Sequence, residues 1–246
     1  MKKILGAAHL HSTHSPDGAC SLAEIRGLLL KKNIQCAFMS EHPESFDEKK
    51  TRTYIQECAR LSDDQFLFIP GFEIPYQNAH IVCLGVYQYT PFLDGLATIQ
   101  RLVDAGAVAI MAHPHRNRFA VHSRLADILS GIEIWNGHYD GTMAPRWRSY
   151  RLWQTLVEKK ERFFAFAGFD FHGFHHQKGP RLIITAHSLT HKEMLASLRD
   201  GLFSIAGGAR SFGSRPRFLA AEAYRMRIAS AWSLGILAII KIGGVL

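Results

Sequence analysis

Two histidines separated by one residue, His9 and His11, open the stretch HLHSTHSPDG at residues 9–18. On a strand, residues two apart project from the same face. Two imidazoles at a strand end are therefore placed to grip one ion. Asp17 and Gly18 follow at a turn, which returns a carboxylate toward the same mouth. Alone, such a motif says little. Here His42, Glu73, His113, Glu133, Asp170 and His172 each fall at or just after the end of an apolar run. A chain with polar, ligating side chains at so many strand ends must bring those ends together. That requirement constrains the fold more than any property of composition.

Apolar runs read as strands at residues 4–10, 35–39, 66–73, 79–86, 107–112, 131–136, 163–169 and 182–185. Between them, helical periodicity predicts helices near 22–32, 48–61, 93–105, 123–129, 146–160 and 191–200. The first is introduced by the capping box Ser21–Glu24. Strands alternating with helices through short connections predict parallel strands joined by right-handed crossovers. A closed barrel gathers the strand ends on one face, where such barrels place their chemistry. An open doubly wound sheet does not. The expected fold is therefore α/β, a distorted TIM-like barrel of about seven β/α units with a hydrophobic C-terminal helical tail. Residues 1–206 form the barrel domain in this reading, and residues 207–246 a basic linker followed by an apolar helix.

Taken in order, HLHSTHSPDG, SEH at 40–42, GFE at 71–73, HIVCLG at 80–85, AHPHR at 112–116, GIEIWNG at 131–137 and GFDFHG at 168–173 resemble the PHP (polymerase and histidinol phosphatase) family of metal-dependent phosphoesterases. The resemblance covers residues 6 to about 205. It implies two or three divalent ions, manganese, iron or zinc, which suit imidazole and carboxylate ligands. Carried over residue by residue, it implies that His9, His11, Glu73 and Asp170 hold one ion. Glu73, as a bridging carboxylate, and His113 hold a second, with Glu133 as its further ligand and His138 as the rival for that place. Asp17, His42 and His172 hold a third. Glu41 stands where the family usually has aspartate, which bears on the orientation of His42. The implied reaction is hydrolysis of a phosphomonoester of a small metabolite or nucleotide by metal-activated hydroxide. Asp170 or His172 is placed to pass a proton to the leaving oxygen. Arg116, with a fork that matches phosphate oxygens, His115 and Lys178 are the candidate substrate-binding residues. A non-catalytic metal-binding PHP module and a short-oligonucleotide nuclease are the alternatives.

The net charge of +8 is uneven. In residues 207–246, six basic residues (Arg210, Arg215, Arg217, Arg225, Arg227 and Lys241) face one acidic residue, Glu222, so this segment carries +5 and residues 1–206 carry +3. The mildly basic body argues against a long nucleic-acid groove and is compatible with a small phosphorylated substrate. Cys20, Cys36, Cys58 and Cys83 show no ligand-type spacing and read as free thiols of a cytoplasmic protein. Residues 228–246 are apolar apart from Lys241 and two serines. They are expected to pack on the barrel or against an oligomer partner, with attachment to a membrane surface as the alternative. His80 is expected to make a hydrogen bond, either to a ligand residue or to the framework. His14, His122, His187 and His191 are read as solvated, His175 and His176 as part of a loop near the mouth, and Arg146, Arg148 and Arg151 as the outer face of a helix.

Overall fold

Pro70 divides the apolar run at 66–73. Proline has no N–H to give to a ladder and restricts the residue before it. The expected strand at 66–73 is therefore two strands, β3 (Leu67–Ile69) and β4 (Gly71–Tyr76), which join different sheets. The computed structural model describes residues 1–92, 94–174 and 178–242, without the side chains of residues 237 and 239–242. The candidate loop residues His175 and His176 lie outside the described residues.

One sheet has the order β11-β10-β9-β1-β2-β3 and the other the order β4-β5-β6-β7-β8. The first contains β1 (Lys2–Leu10), β2 (Cys36–Met39), β9 (Arg181–Ala186), β10 (Phe203–Gly207) and β11 (Arg210–Gly213). The second contains β5 (Ala79–Leu84), β6 (Val108–Met111), β7 (Gly131–Asn136) and β8 (Phe164–Gly168). Both sheets are mixed. Strands β1, β2 and β3 run parallel, as do β6, β7 and β8, but β9 and β10 are antiparallel within the first sheet and β4, β5 and β6 within the second.

The expectation of a TIM-like barrel of seven parallel β/α units is thereby corrected: two mixed sheets form, with no closed barrel. The reason is local. Tyr76 pairs with Ala79 across two residues, and Gln77 adopts φ 54°, so β4 and β5 make a tight hairpin where a crossover helix was needed. Isolated bridges join the sheets instead, at Leu10 with Phe171 and at Glu41 with Phe72. Phe169 N–H donates to the Ala8 carbonyl at 2.7 Å, and Glu73 N–H to the Glu41 carbonyl at 2.9 Å. The ends of β1, β2, β4 and β8 thus meet without ring closure.

The helices are α1 (Leu22–Leu30), α2 (Glu48–Arg60), α3 (Gly95–Asp104), α4 (Ser123–Ile128), α5 (Gly137–Asp140), α6 (Trp147–Val157), α7 (His191–Arg199) and α8 (Ala220–Ile242). Ser21, Asp47, Asp94 and Thr190 cap α1, α2, α3 and α7 by accepting first-turn N–H groups, and the Ser21–Glu24 capping box is complete. All four cysteines are buried and free. Arg210–Gly213, read from sequence as linker, is instead strand β11, hairpin partner of β10. Trp135, fully buried on β7, packs close against Gly207 and donates from Nε1 to the Gly141 carbonyl at 2.8 Å. Among the described residues, no helix is long and apolar enough to cross a membrane.

Trp135→Ala removes the largest buried side chain between β7 and the β10–β11 hairpin. A loss of about 3–5 kcal/mol in urea unfolding is expected, with far-UV circular dichroism of the remaining native fraction unchanged.

Candidate metal centre

Backbone strain marks the site before any chemistry is considered. His9, His113 and Asp170 have φ of 63°, 26° and 55°, in the region that favours glycine. Each such residue costs roughly 1–3 kcal/mol and persists only where its surroundings enforce it. The β1–β2 register shifts between Ala8 and Leu10, so a bulge falls at His9. Simple strand alternation is therefore not what orients His9 and His11. A bulge and a left-handed residue turn both rings inward, where their Nε2 atoms face the two oxygens of one carboxylate.

That carboxylate is Glu73. Its Oε1 lies 3.0 Å from His113 Nε2, 3.0 Å from His80 Nδ1 and 3.4 Å from His9 Nε2. Its Oε2 lies 3.6 Å from His11 Nε2 and 3.8 Å from His42 Nε2. Asp170 Oδ1 stands 3.4 Å from His9 Nε2 and 3.6 Å from His172 Nδ1. Asp17 Oδ2 lies 3.1 Å from His42 Nε2 and 3.2 Å from His172 Nε2. Four groups have potential ligand atoms close enough to share an ion: His9, His113 and Asp170; His9, His11 and Glu73; Glu73, His80 and His113; and His11, Asp17, His42 and His172. The first three are almost wholly buried, apart from half-buried His80. The last opens to solvent, with Asp17 48% exposed.

Glu133 is placed behind this layer. Its Oε1 accepts from His9 Nδ1 at 2.8 Å, and its Oε2 from the His113 N–H and from Asn136 Nδ2, both at 2.9 Å. Both oxygens are engaged, and Glu133 belongs to none of the four groups. It fixes His9 so that Nε2 points into the cluster. His138, the rival for its place, stands in α5 with its ring centroid 6.3 Å from that of His172. His80, expected to hydrogen-bond either a ligand or the framework, bonds the candidate ligand Glu73 at 3.0 Å.

Glu41 is also a supporting residue. Fully buried, it accepts from the Ser12 N–H and from both the Ser12 and Ser15 hydroxyls. Burial pushes its carboxyl up to about 7 against those hydrogen bonds. Ser15 Oγ accepts the His42 N–H at 2.8 Å, so Glu41 orients His42 through the 12–15 loop.

Three nitrogens inside the cluster, His9 Nε2, His11 Nδ1 and His113 Nδ1, are buried without a hydrogen-bond partner. Buried polar atoms are rarely left so. Ligands about 2.1 Å from a common ion stand roughly 3.0–3.4 Å apart, which matches the His9 Nε2 contacts to Glu73 and Asp170. The electrostatics agree. Burial alone lowers the His9 pKa, yet Glu133, Asp170 and Glu73 outweigh it and hold the group well above the ordinary value. His11, where burial dominates, is held well below it. Burial raises the Glu73 and Asp170 carboxyls, but the neighbouring histidines pull both below the usual carboxylate range. The pocket demands positive charge, and hard or borderline divalent ions fit its imidazole and carboxylate donors.

Of the candidate substrate residues, His115 and Arg116 follow closely on His113. His115 is half-buried, its ring centroid 4.4 Å from that of Tyr139 and 6.2 Å from that of His113. Burial and, next, Arg146 lower its pKa to about 4. Arg116 and Lys178 are exposed. Arg146 is not the outer-face residue expected from sequence: it donates to the buried Asp140 at 2.6 Å and to the Tyr139 carbonyl at 2.8 Å. His14 and His191, read as solvated, bond to Glu57 and to the Phe68 carbonyl. Asn136 was missed by sequence reasoning. It holds Glu133 while its side-chain oxygen caps α5, and an asparagine before a glycine at a strand end is the signal that marks it.

No protein-family model matches the chain, and no curated protein sequence matches it. Among solved structures it is similar to a two-domain protein from Bacteroides vulgatus ATCC 8482 that contains a PHP-like metal-dependent phosphoesterase. The TM-score is 0.68 at 14% identity, covering 86% of this chain and 67% of that one. A metal-dependent phosphoesterase from Bifidobacterium adolescentis ATCC 15703 matches with TM-score 0.50 at 14% identity, covering 79% of this chain and 94% of the other. In both names the activity is itself an inference. At this identity the likeness is one of fold: the chain shares the fold of these PHP-like proteins.

Gly168 offers a test of the site that alters no ligand. A Cβ there would lie 2.0 Å from Glu133 Oε1 and 2.9 Å from the His9 Cβ. Gly168→Ala is expected to displace Glu133 and His9 and to lower metal affinity on the order of 10–100-fold, read by metal titration, with the circular dichroism spectrum retained.

Proposed function

We propose that this chain, which has the PHP-like fold, is a metal-dependent phosphoesterase that hydrolyses a phosphomonoester of a small metabolite or nucleotide. The observation that carries the reading is the Glu73 carboxylate, with one oxygen facing His9, His80 and His113 and the other facing His11 and His42. A carboxylate presented in this way is suited to bridge two ions.

His9, His11, Glu73, His113 and Asp170 would hold the buried ions, with His80 beside Glu73. Asp17, His42 and His172 would hold a further ion at the open edge, with His11 contributing from below. Divalent ions bound there supply an activated water and neutralise phosphate oxygens as charge moves to the leaving group. The chain's own residues do the rest. Glu133 keeps the His9 ring in place through Nδ1. Glu41 and Ser15 set the His42 backbone. His172, about one-fifth exposed between Asp17 and Asp170, has Nε2 for one of two tasks: to hold the open-edge ion or, with that ion absent, to give a proton to the leaving oxygen. Asp170, drawn below the usual carboxylate range, stays ionised and suits the ligand role better than the acid role. Arg116, His115 and Lys178 are assigned to the substrate at the rim, where Arg116 provides the fork for a phosphate. The proportion of buried to exposed ligands favours a small substrate entering from the Asp17 side.

The test is phosphate release from a panel of phosphomonoesters and short oligonucleotides with added manganese, beside Glu73→Gln. Turnover by the natural chain and a loss on the order of 100-fold or more in the variant are expected, because an amide cannot replace a bridging carboxylate. Metal bound with no turnover on any substrate would favour a non-catalytic module. Cleavage of oligonucleotides with a steep salt dependence would favour a nuclease. Separately, a chelator should lower the melting temperature of the natural chain, because ions that bind only the folded state stabilise it. No change on chelation would remove the metal reading.

A further inference from the structure

Helix α8 presents the wrong face to solvent for a helix of a free-standing globular protein. Its inward face is narrow and carries two serines: Met226, Ser230 and Ser233 are buried against α5 and α6. Ser230 Oγ accepts the Trp147 N–H at 2.9 Å, and the Ser233 hydroxyl donates to the Asp140 carbonyl. The outward face is the apolar one. Tyr224, Ile228, Trp232 and Ile236 follow one another at four-residue spacing and are 66%, 42%, 66% and 40% exposed. Leu219, just before the helix, is 75% exposed. At about 100° per residue, Ala231 and Gly235 fall beside Tyr224 and Ile228, Arg225 falls between Trp232 and Ile236 at the basal end of the stripe, and Arg227 falls on its border. Water-facing helix surfaces normally carry the polar residues.

The base of the same helix carries unbalanced positive charge. A cavity of about 480 Å³ is lined by Arg210, Arg215, Arg217 and Arg225, with Glu222 as its one acidic lining residue. Glu222 is occupied by the Leu219 N–H at 2.9 Å. Among the described residues no acidic group lies within ion-pair distance of Arg215, Arg217, Arg225 or Arg227. None of these residues belongs to the metal centre.

We propose that α8 and the arginine cavity at its base dock this protein on the surface of an anionic phospholipid bilayer. The apolar stripe lies along the acyl boundary, with Tyr224 and Trp232 at headgroup level, where amphipathic aromatic rings are favoured. Arg225, at the basal end of the stripe, and Arg227, on its border, extend to the phosphates. Arg215 and Arg217 hold an anionic headgroup in the cavity. Charge complementarity selects this occupant over a second copy of the chain. A second copy offers the arginines no acid in return, because the base of its own α8 carries Glu222 alone against four arginines. The serines and the bonds to α5 and α6 keep the opposite face on the protein, so the helix lies on the surface and does not cross it.

The experiment is vesicle flotation with the full chain. Vesicles of phosphatidylcholine alone are compared with vesicles that also contain phosphatidylglycerol, at low and high salt. Flotation with the anionic vesicles only, weakened by salt, is expected. Arg215→Gln with Arg217→Gln should lower vesicle affinity about 30-fold, and Ile228→Ser with Trp232→Ser should abolish flotation. All four side chains are exposed, so unchanged melting curves and metal content separate loss of docking from loss of fold. Absence of flotation with either vesicle would overturn the proposal, as would equal binding to neutral vesicles. A concentration-dependent dimer that Trp232→Ser dissociates, without vesicle binding, would assign the stripe to a second copy. Resistance of the bound protein to alkaline carbonate would replace surface docking with insertion. Each outcome is independent of whether the metal centre hydrolyses phosphoesters.

Discussion

Glu73 is a carboxylate taken out of water and set among imidazoles. A lone buried charge of this kind costs several kcal/mol even after the surroundings relax. The chain meets that cost with His9, His11, His80, His42 and His113, arranged around both oxygens. The arrangement also requires strained backbone at His9, His113 and Asp170. Such strain is sustained only because Glu133 binds His9 Nδ1 and the His113 N–H together, and because β8 passes so close behind that only glycine fits at 168. The supporting residues are thus as specific as the ligand candidates. They make one rigid unit out of strand ends from both sheets.

The two sheets gain their meaning from this unit. A closed barrel would bring strand ends together by geometry alone. Here a few backbone contacts do it: Leu10 with Phe171, Phe169 with Ala8, and Glu41 with both Gly71 and Glu73. Each lies within two residues of a candidate ligand. Glu41 has a double task. Its backbone pairs with the strand that carries Glu73, and its side chain organises the serine loop that carries His42. The longer side chain at this position, where an aspartate would resemble the family more closely, reaches back to Ser12 and Ser15 without entering the cluster.

The molecule separates its chemistry from its charge. The carboxylates and imidazoles gather at the mouth between the sheets. The excess arginines gather at the opposite end of the sequence, around β11 and the start of α8. The net charge of +8 therefore resolves into a mildly basic body and a strongly basic C-terminal segment.

Much of this was legible in the sequence. The alternation of apolar runs with polar strand ends located β1, β2, β5, β6, β7, β8 and β9 and helices α1, α2, α3, α4, α6 and α7 to within a few residues, because periodicity and capping are local properties. The order of the histidine and acid motifs drew the same residues into one group. What sequence could not supply was whatever depends on contacts distant along the chain. Parallel and antiparallel pairing look alike in a short buried strand, so the hairpin at Tyr76–Ala79 and the two mixed sheets were read as barrel units. The β10–β11 hairpin hid behind glycines and arginines that also suit a linker. Glu133, expected beside the ions, stands behind His9 because only the fold decides which side of a ring a carboxylate approaches. The sequence by itself determined which residues are available to hold ions, since donor chemistry belongs to the side chain. The tertiary structure decided which of them meet, because separations of more than a hundred residues, such as His9 from Glu133, are closed only by packing of the two sheets.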